Sequence, residues 1–170
     1  DLLGREAVQL DQETLGQMIT NNVILVSGAG GSIGSELCHQ ISRFNPKSLV
    51  LFELSEYNLY SLELQLKEKF PDLNFYSVIG DSRIKDCVDY VYTTYRPDVV
   101  FHAAAYKHVP MMEKNPFEAI STNIKGTSNF AQYAIKHGTK RFVLVSTDKA
   151  VNPTNVMGAT KRISEIVCQH

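Results

Sequence analysis

Residues 22–37 constrain the fold of this chain more than any other stretch, because an apolar run is followed at once by glycines. Residues 23–26 are apolar and predict a short, buried strand of a parallel sheet. Gly28, Gly31 and Gly34 follow in the spacing G-x-x-G-x-x-G, and apolar residues then recur at helical intervals. A strand, a glycine turn and a helix in this order predict a site for a dinucleotide pyrophosphate.

Each glycine has a separate expected role. Gly28 supplies the tight turn, Gly31 lets the backbone approach the phosphates because it has no Cβ, and Gly34 allows close packing of helix and strand. The first helical residues, Ser32 and Ile33, complete the set expected around the anion. An ordinary turn between a strand and a helix is the alternative explanation for these glycines.

The composition excludes several classes of protein. The chain has 170 residues, 44% hydrophobic and 21% charged, which suits one soluble domain with a real core. A formal net charge of −1 offers no basic surface for nucleic acid. Three scattered cysteines without a C-x-x-C pair argue against disulfides and a metal site, and favour a reducing, cytoplasmic setting. The sequence contains neither a signal peptide nor an apolar run long enough for a membrane span.

Strands and helices are predicted to alternate along the chain. Further strands are expected at residues 48–52, 74–79, 98–102 and 141–145, with helices at about 33–45, 55–69, 84–95, 116–137 and from 155 onward. The alternation predicts an α/β fold: a three-layer, doubly wound parallel sheet of the Rossmann type, with strand order 3-2-1-4-5. Residues 1–20 show only a short helical pattern at 10–15 and form a lead-in segment, so the domain proper is expected over 21–170.

Acidic residues at two predicted strand ends fall where the adenosine half of a dinucleotide would bind. A carboxylate at Glu53 would accept both ribose hydroxyls and repel a 2′-phosphate, which favours NAD over NADP. Glu56 competes for that role, and a solvated acid is the alternative. Asp81, followed by Ser82, either contacts the adenine amino group or caps the next helix.

Small residues follow the fourth predicted strand and leave room for a flat ligand, unless they pack closely against the next helix. They are Ala103, Ala104 and Ala105. Lys107 and His108 come next, in a loop over the expected crevice. Asn123 is expected to be buried in the middle of the long helix that follows, and it is counted among the residues expected to bind the cofactor.

Reactive side chains gather at the end of the fifth predicted strand, where Thr147, Asp148 and Lys149 are adjacent. A carboxylate beside an amine can donate and accept protons if the site moves both pKa values toward neutrality. An exposed ion pair in a loop is the alternative. Met157 and Lys161 lie early in the last helix, where a lysine alone would indicate only a solvated surface.

Several features together resemble the extended short-chain dehydrogenase/reductase superfamily. They are the three glycines, the alanine run, Asn123, the Ser-Thr pair at 146–147 and the block ending in Lys161. Within it, the sequence Ser-Thr-Asp-Lys-Ala at 146–150, followed by residues 152–161, is similar to the nucleotide-sugar 4,6-dehydratases of polysaccharide biosynthesis. The opening residues 2–6 resemble the long, membrane-anchored branch of these enzymes.

The resemblance implies a hydro-lyase that converts UDP-N-acetylglucosamine to a UDP-4-keto-6-deoxy sugar, with hydride leaving C4 and returning to C6. By the same resemblance, Lys149 takes the C5 proton and Asp148 protonates the departing C6 hydroxyl. Thr147 would bond the C4 oxygen, and Lys161 would bind the nicotinamide ribose and lower the pKa of a neighbouring acid.

Met157 departs from the superfamily pattern, in which a tyrosine four residues before the lysine is the base for the C4 hydroxyl. A thioether cannot take a proton. The long branch shares this methionine, so the base stays open between Asp148 and a water held by Thr147, and Met157 is otherwise a packing residue. A nucleotide-sugar epimerase or reductase and a non-catalytic dinucleotide sensor are the alternative functions.

The resemblance also implies properties of a whole protein. The chain begins without methionine and ends shortly after Lys161, so we expect it to be a piece that lacks most of the sugar-nucleotide pocket. The full-length protein is expected at the cytoplasmic face of the inner membrane, held by an N-terminal anchor outside this soluble part. The long helix and the last helix are candidates for pairing in a homo-oligomer.

Overall fold

A five-stranded parallel sheet forms the centre of the computed structural model, which describes residues 12–169. Its strands are β1 (Val23–Ser27), β2 (Ser48–Glu53), β3 (Phe75–Ile79), β4 (Val99–His102) and β5 (Arg141–Leu144). The order β3-β2-β1-β4-β5 confirms the predicted doubly wound topology. β1 pairs with β2 on one side and with β4 on the other, so the strand order reverses beside β1. In open α/β sheets this reversal leaves a crevice at the carboxyl edge.

Helices cover both faces of the sheet. They are α1 (Gln12–Ile19), α2 (Ser32–Ser42), α3 (Glu56–Lys69), α4 (Lys85–Tyr95), α5 (Val109–Lys114), α6 (Pro116–Ala119), α7 (Thr127–His137) and α8 (Val156–Gln169). Successive strand side chains enter opposite cores: Ile24 and Val26 pack toward α2 and α3, whereas Leu25 packs toward α4 and α7. Leu59, Leu62 and Leu66 of α3 are buried, as their spacing predicts.

The lead-in segment contacts the domain within the described residues. Of the predicted helix at 10–15, residues 10 and 11 lie outside the described part, and α1 extends beyond that prediction to Ile19. Ile19 is buried in the core, and Thr20 forms an antiparallel bridge with Pro46. The boundary proposed near residue 20 therefore stays a prediction.

The helix predicted over 116–137 is not regular. A π-helical segment over Ile120–Gly126 lies between α6 and α7, and α5 precedes them as a separate short helix. A π-helical turn contains more residues than an α-helical turn, so it changes the direction in which later side chains point. Here it turns Asn123 and Gly126 inward, with Gly126 packed against Ser82.

Both edge strands of the sheet, β3 and β5, carry exposed residues. On β5, Arg141 and Val143 are exposed, so the last strand of the described chain presents an open edge. Within residues 12–169, every helix falls short of the length and apolar character needed to cross a bilayer. The carboxyl edge, where the turns after β1, β2 and β4 converge, is therefore the part of the fold that positions a ligand.

Candidate functional site

Of the three glycines in the G-x-x-G-x-x-G pattern after β1, packing requires two, and the third has the most space around it. Gly28 has φ = +65°, and a Cβ there would lie 2.7 Å from the Ala104 backbone. A Cβ on Gly34 would collide with the carbonyl oxygen of Gly28. A Cβ on Gly31 would meet only that same oxygen, at 3.3 Å. Gly31 therefore leaves free space above the first turn of α2, where backbone N–H groups face outward.

A cleft opens beside this turn, between the carboxyl ends of β1, β2 and β4. Its lining residues are Gly28, Gly31, Phe52, Glu53, Leu54, Asn58, Gly80, Asp81, Ser82, Arg83, Ala103, Ala104, Ala105, Tyr106 and Thr122. Most of the predicted cofactor residues are thus brought together, including the whole alanine run. Its concave, largely apolar wall with a few polar groups is typical of a cofactor site.

Glu53 joins the glycine turn to the start of α3. Its carboxylate is buried and accepts the backbone N–H groups of Gly30 and Ser55, each at 2.9 Å. Each oxygen keeps a lone pair, so the group can still accept a ribose hydroxyl. Glu56, the competing acid, is exposed on the first turn of α3 and is absent from the described lining of the cleft.

The carboxylate of Asp81 is bonded to Arg83, a residue that no sequence pattern indicated. Its two oxygens accept four hydrogen bonds of 2.7–3.0 Å from the backbone N–H, Nε and Nη2 of Arg83, and these bonds hold the Asp81 pKa below its usual range.

 The four bonds from Arg83 to Asp81 are N to Oδ1 at 2.8 Å, Nε to Oδ1 at 3.0 Å, Nε to Oδ2 at 2.9 Å and Nη2 to Oδ2 at 2.7 Å. The N-cap of α4 is Ile84, so the capping alternative for Asp81 is wrong. Because Arg83 takes the acceptor positions of Asp81, an adenine amino group would have to displace one of these bonds.

Thr122 supplies a polar group that no sequence pattern indicated. It lines the cleft, and its hydroxyl oxygen is buried without a hydrogen-bond partner among residues 12–169. A buried hydroxyl without a partner suits a ligand that provides the missing bond. Together with the open space at Gly31 and the free lone pairs of Glu53, it fits an extended dinucleotide.

Lys107 crosses the mouth of the glycine turn from the loop after β4. Its Nζ donates to Ser32 Oγ at 2.8 Å, which holds a cation above the N-terminus of α2. Ile33 is 52% exposed beside it, so the apolar face of α2 is formed by Leu37 and Ile41 without Ile33. His108 is exposed and begins α5 as its N-cap residue.

The three reactive residues after β5 contact one another. Thr147 Oγ1 donates to Asp148 Oδ1 at 2.9 Å, and Lys149 Nζ lies 3.4 Å from the same oxygen. The Thr147 hydrogen bond and the Lys149 charge hold the pKa of Asp148 below its usual range. The Asp148 side chain is 88% exposed, and its carboxyl group is ionised. To act as an acid, this group must be shielded from water, because burial raises the pKa of a carboxyl group.

Two residues of α8 complete the set, and both are buried. Lys161 Nζ donates to the Val145 carbonyl at 2.6 Å, and burial lowers its pKa. Met157 packs in a small apolar cluster with Met112 and Ala119. The packing interpretation of Met157 therefore accounts for its position, as its side chain is only 2% exposed.

The sequence profile of a family described as polysaccharide biosynthesis protein matches residues 24–170. The chain belongs to this family. It is 49% identical over 170 residues to the capsular polysaccharide biosynthesis protein CapD of Staphylococcus aureus, covering 99% of this chain and 28% of CapD. The chain therefore spans less than a third of the length of that relative.

Relatives of this chain differ in the reaction that their names give. A UDP-N-acetylglucosamine 4,6-dehydratase (inverting) of Campylobacter jejuni is 35% identical over 149 residues, covering 87% of this chain and 43% of the enzyme. A UDP-glucose 4-epimerase of Rickettsia canadensis is 38% identical over 154 residues, with the same two shares of 87% and 43%.

Solved structures agree with the fold. Pen from Bacillus thuringiensis superposes with a TM-score of 0.82 at 37% identity, covering 88% of this chain and 46% of Pen. DesIV, a dTDP-glucose 4,6-dehydratase from Streptomyces venezuelae solved with NAD and TYD bound, gives a TM-score of 0.73 at 23% identity over 85% of this chain and 50% of DesIV. The second likeness concerns the fold alone.

Asn123 is buried, as the sequence pattern predicts. It is 1% exposed and bonded to protein: its Nδ2 donates to the Tyr106 carbonyl at 3.1 Å and to Thr160 Oγ1 at 2.9 Å, and its Oδ1 accepts from Tyr106 N at 2.8 Å. It therefore ties the loop after β4 to α8, and its contact with the cofactor stays a prediction.

Proposed function

We propose that the protein containing this chain is an NAD-dependent nucleotide-sugar 4,6-dehydratase of surface polysaccharide biosynthesis, acting on UDP-N-acetylglucosamine. One observation supports the dehydratase reaction above all: the Asp148–Lys149 pair beside Thr147 at the carboxyl end of β5. Loss of water from a sugar needs both a group that takes the C5 proton and a group that gives a proton to the leaving C6 hydroxyl.

The cofactor half of the proposal is supported by the cleft. When bound, NAD would supply a reversible hydride acceptor. Gly31 and the first turn of α2 would hold its pyrophosphate, with the Lys107 cation opposite. Glu53 would accept the ribose hydroxyls and disfavour a 2′-phosphate, and Thr122 would bond the adenosine half.

The reactive residues would then divide the proton transfers. Lys149 would take the C5 proton, and Asp148 would protonate the leaving hydroxyl once the substrate excludes water and raises its pKa. Thr147 would bond the C4 oxygen, and Lys161 would bind the nicotinamide ribose. The base for the C4 hydroxyl is proposed to be Asp148 or a water at Thr147, since Met157 is buried and cannot take a proton.

Epimerisation is the second candidate function, because a 38% identical relative is a UDP-glucose 4-epimerase. An epimerase acting at C4 alone needs no proton transfers at C5 and C6. The Asp148–Lys149 pair would then be a surface ion pair, and its removal would leave turnover nearly unchanged.

The product distinguishes these functions. The full-length protein, incubated with UDP-N-acetylglucosamine and NAD, is expected to form a product lighter by one water. An isomer of unchanged mass would establish epimerisation, and an unreacted sugar together with bound NAD would indicate a sensor.

Lys149→Met is expected to lower kcat by about 100-fold or more, since a positioned proton-transfer group contributes roughly 10²–10⁴-fold. Lys136→Met is the matched control, because Lys136 also pairs with an aspartate, Asp89 at 2.8 Å, but on the outer face of α7. Equal activity of both variants would contradict the assignment of Lys149.

The membrane anchor and the homo-oligomer are proposals about the full-length protein. Sedimentation of the full-length protein with the membrane fraction, and release by detergent alone, would support the anchor. A single monomeric species in light scattering would contradict the homo-oligomer.

A further inference from the structure

A wholly buried imidazole lies under the carboxyl-edge crevice. His102 ends β4 and is the register partner of Ser27, which ends β1. The His102 side chain is 1% exposed, and both ring nitrogens are bonded. Nδ1 lies 2.6 Å from Ser27 Oγ, and Nε2 lies 3.1 Å from Thr127 Oγ1.

The partners of the two hydroxyls fix the proton on the ring. Thr127 Oγ1 donates its single hydrogen to the Asn123 carbonyl at 2.6 Å, so it must accept from His102 Nε2–H. His102 Nδ1 is then an acceptor, and the Ser27 hydroxyl must donate to it. The Ser27 oxygen in turn accepts the Ala104 N–H at 3.3 Å, so every member of the chain has a partner.

This hydrogen-bond chain joins two parts of the site. At one end, Ser27 directly precedes Gly28, and Ala104 is the backbone against which Gly28 packs. At the other end, Asn123 contacts α8: its Nδ2 donates to Thr160 Oγ1 at 2.9 Å, and the Ser164 hydroxyl lies 2.7 Å from the Asn123 carbonyl and 2.8 Å from the Thr160 carbonyl. Helix α8 carries Lys161, so the imidazole links the glycine turn to the helix that holds this lysine.

We propose that His102 is a positioning residue, whose neutral Nε2–H imidazole aligns the glycine turn with α8 and thereby sets the cofactor against Lys161. The inference rests on the proposed function. A rigid ring bonded on both sides resists displacement, because a shift of either part leaves a buried donor or acceptor unsatisfied. A misplacement of about 1 Å far from the chemistry can cost about 100-fold in rate.

The first test removes both bonds while keeping an aromatic ring. In the full-length protein, His102→Phe is expected to weaken NAD binding by about tenfold and to lower kcat by about 10- to 100-fold, with the KM for the UDP-sugar within about twofold of wild type. Tyr92→Phe is the control, because it removes another buried hydrogen bond of the same core, to the Phe130 carbonyl at 2.9 Å. It should lower stability without changing NAD affinity.

Two further measurements separate positioning from simple destabilisation. Combining His102→Phe with Thr127→Val should cost no more NAD affinity than His102→Phe alone, since both remove the same link. The ¹⁵N chemical shifts of the histidine-labelled wild-type protein should show His102 protonated at Nε2 only. Because this measurement uses the wild-type protein, it can be made even if His102→Phe does not fold.

An Nδ1–H tautomer, or activity lost only in proportion to the unfolded fraction, would overturn the proposal. Failure of the proposed function gives a different result. A wild-type protein that leaves UDP-N-acetylglucosamine unreacted contradicts the dehydratase, while the NAD affinities and the tautomer still report on His102.

Discussion

At the scale of single residues, His102 makes stability depend on pH. Burial, helped by the charge of Lys161, lowers its pKa to about 3. An unfolded histidine titrates near pH 6.5, so the unfolded chain binds more protons at pH values between these limits. The free energy of unfolding is therefore highest above about pH 6.5 and should fall on acidification by up to about 1.4 kcal/mol per pH unit from this residue.

Urea unfolding between about pH 4.5 and 7.5 measures this slope above the range in which most carboxylates titrate. His102→Phe should flatten the curve in that window, because the residue whose pKa burial lowers is gone. Parallel curves for the two proteins would show that another group causes the dependence.

Also at the residue scale, two glycines of one turn should respond differently to alanine. Gly34→Ala forces a Cβ against the Gly28 carbonyl and should destabilise the fold by about 1–3 kcal/mol. Gly31→Ala meets a single backbone oxygen at 3.3 Å, a close contact that a small shift relieves, so it should destabilise the fold much less than Gly34→Ala. In the full-length protein it should lose NAD affinity, because its methyl group would occupy the expected phosphate position. Thermal melts and calorimetry decide, and unchanged NAD binding by Gly31→Ala would contradict the predicted cradle.

At the scale of elements, the N-terminus of α8 packs backbone to backbone on the 3₁₀ turn Asp148–Ala150. A Cβ on Gly158 would collide with the Lys149 carbonyl. Gly158→Ala should therefore displace the reactive turn and lower kcat by about 10- to 100-fold, while NAD affinity changes little.

Gly16→Ala in α1 is the matched control for this change. Its Cβ would lie 3.8 Å from Phe44 Cδ1, an ordinary contact, so it should be neutral or stabilise α1 by about 0.5–1 kcal/mol. Full kcat in Gly158→Ala would mean that the packing of α8 does not set the position of Lys149.

At the scale of the whole molecule, the described chain provides a cofactor cleft and one group of reactive side chains. It spans 28% of CapD and 43% of the Campylobacter dehydratase. Turnover needs a sugar-nucleotide pocket, and the described cleft is formed by the turns around the glycine loop. We therefore expect the 170-residue chain alone to bind NAD weakly or not at all and to show no turnover. Calorimetry with NAD and a coupled assay measure both, and full activity of the chain alone would refute this expectation.

The sequence alone determined the architecture, because the signals are local and repeat at every element. Apolar runs such as 23–26 have a single favourable place, a buried parallel strand, and the leucines of α3 recur at the helical period. The glycine spacing located the cleft for the same reason, since the positive φ of Gly28 and the packing of Gly34 are demands of one short segment.

Only the tertiary structure decided which polar groups face the cleft and which are used within the protein. Thr122 lines the cleft next to the buried Asn123, within a π-helical segment that the sequence pattern did not predict. The near neighbour Arg83 fills the hydrogen-bond acceptor positions of Asp81, and Thr127 fixes the proton of His102, which lies 25 residues away in the sequence. Each polar group has a fixed number of donors and acceptors, and the fold decides which neighbours they bond to. The hydrogen-bond partners therefore cannot be assigned before these neighbours are known.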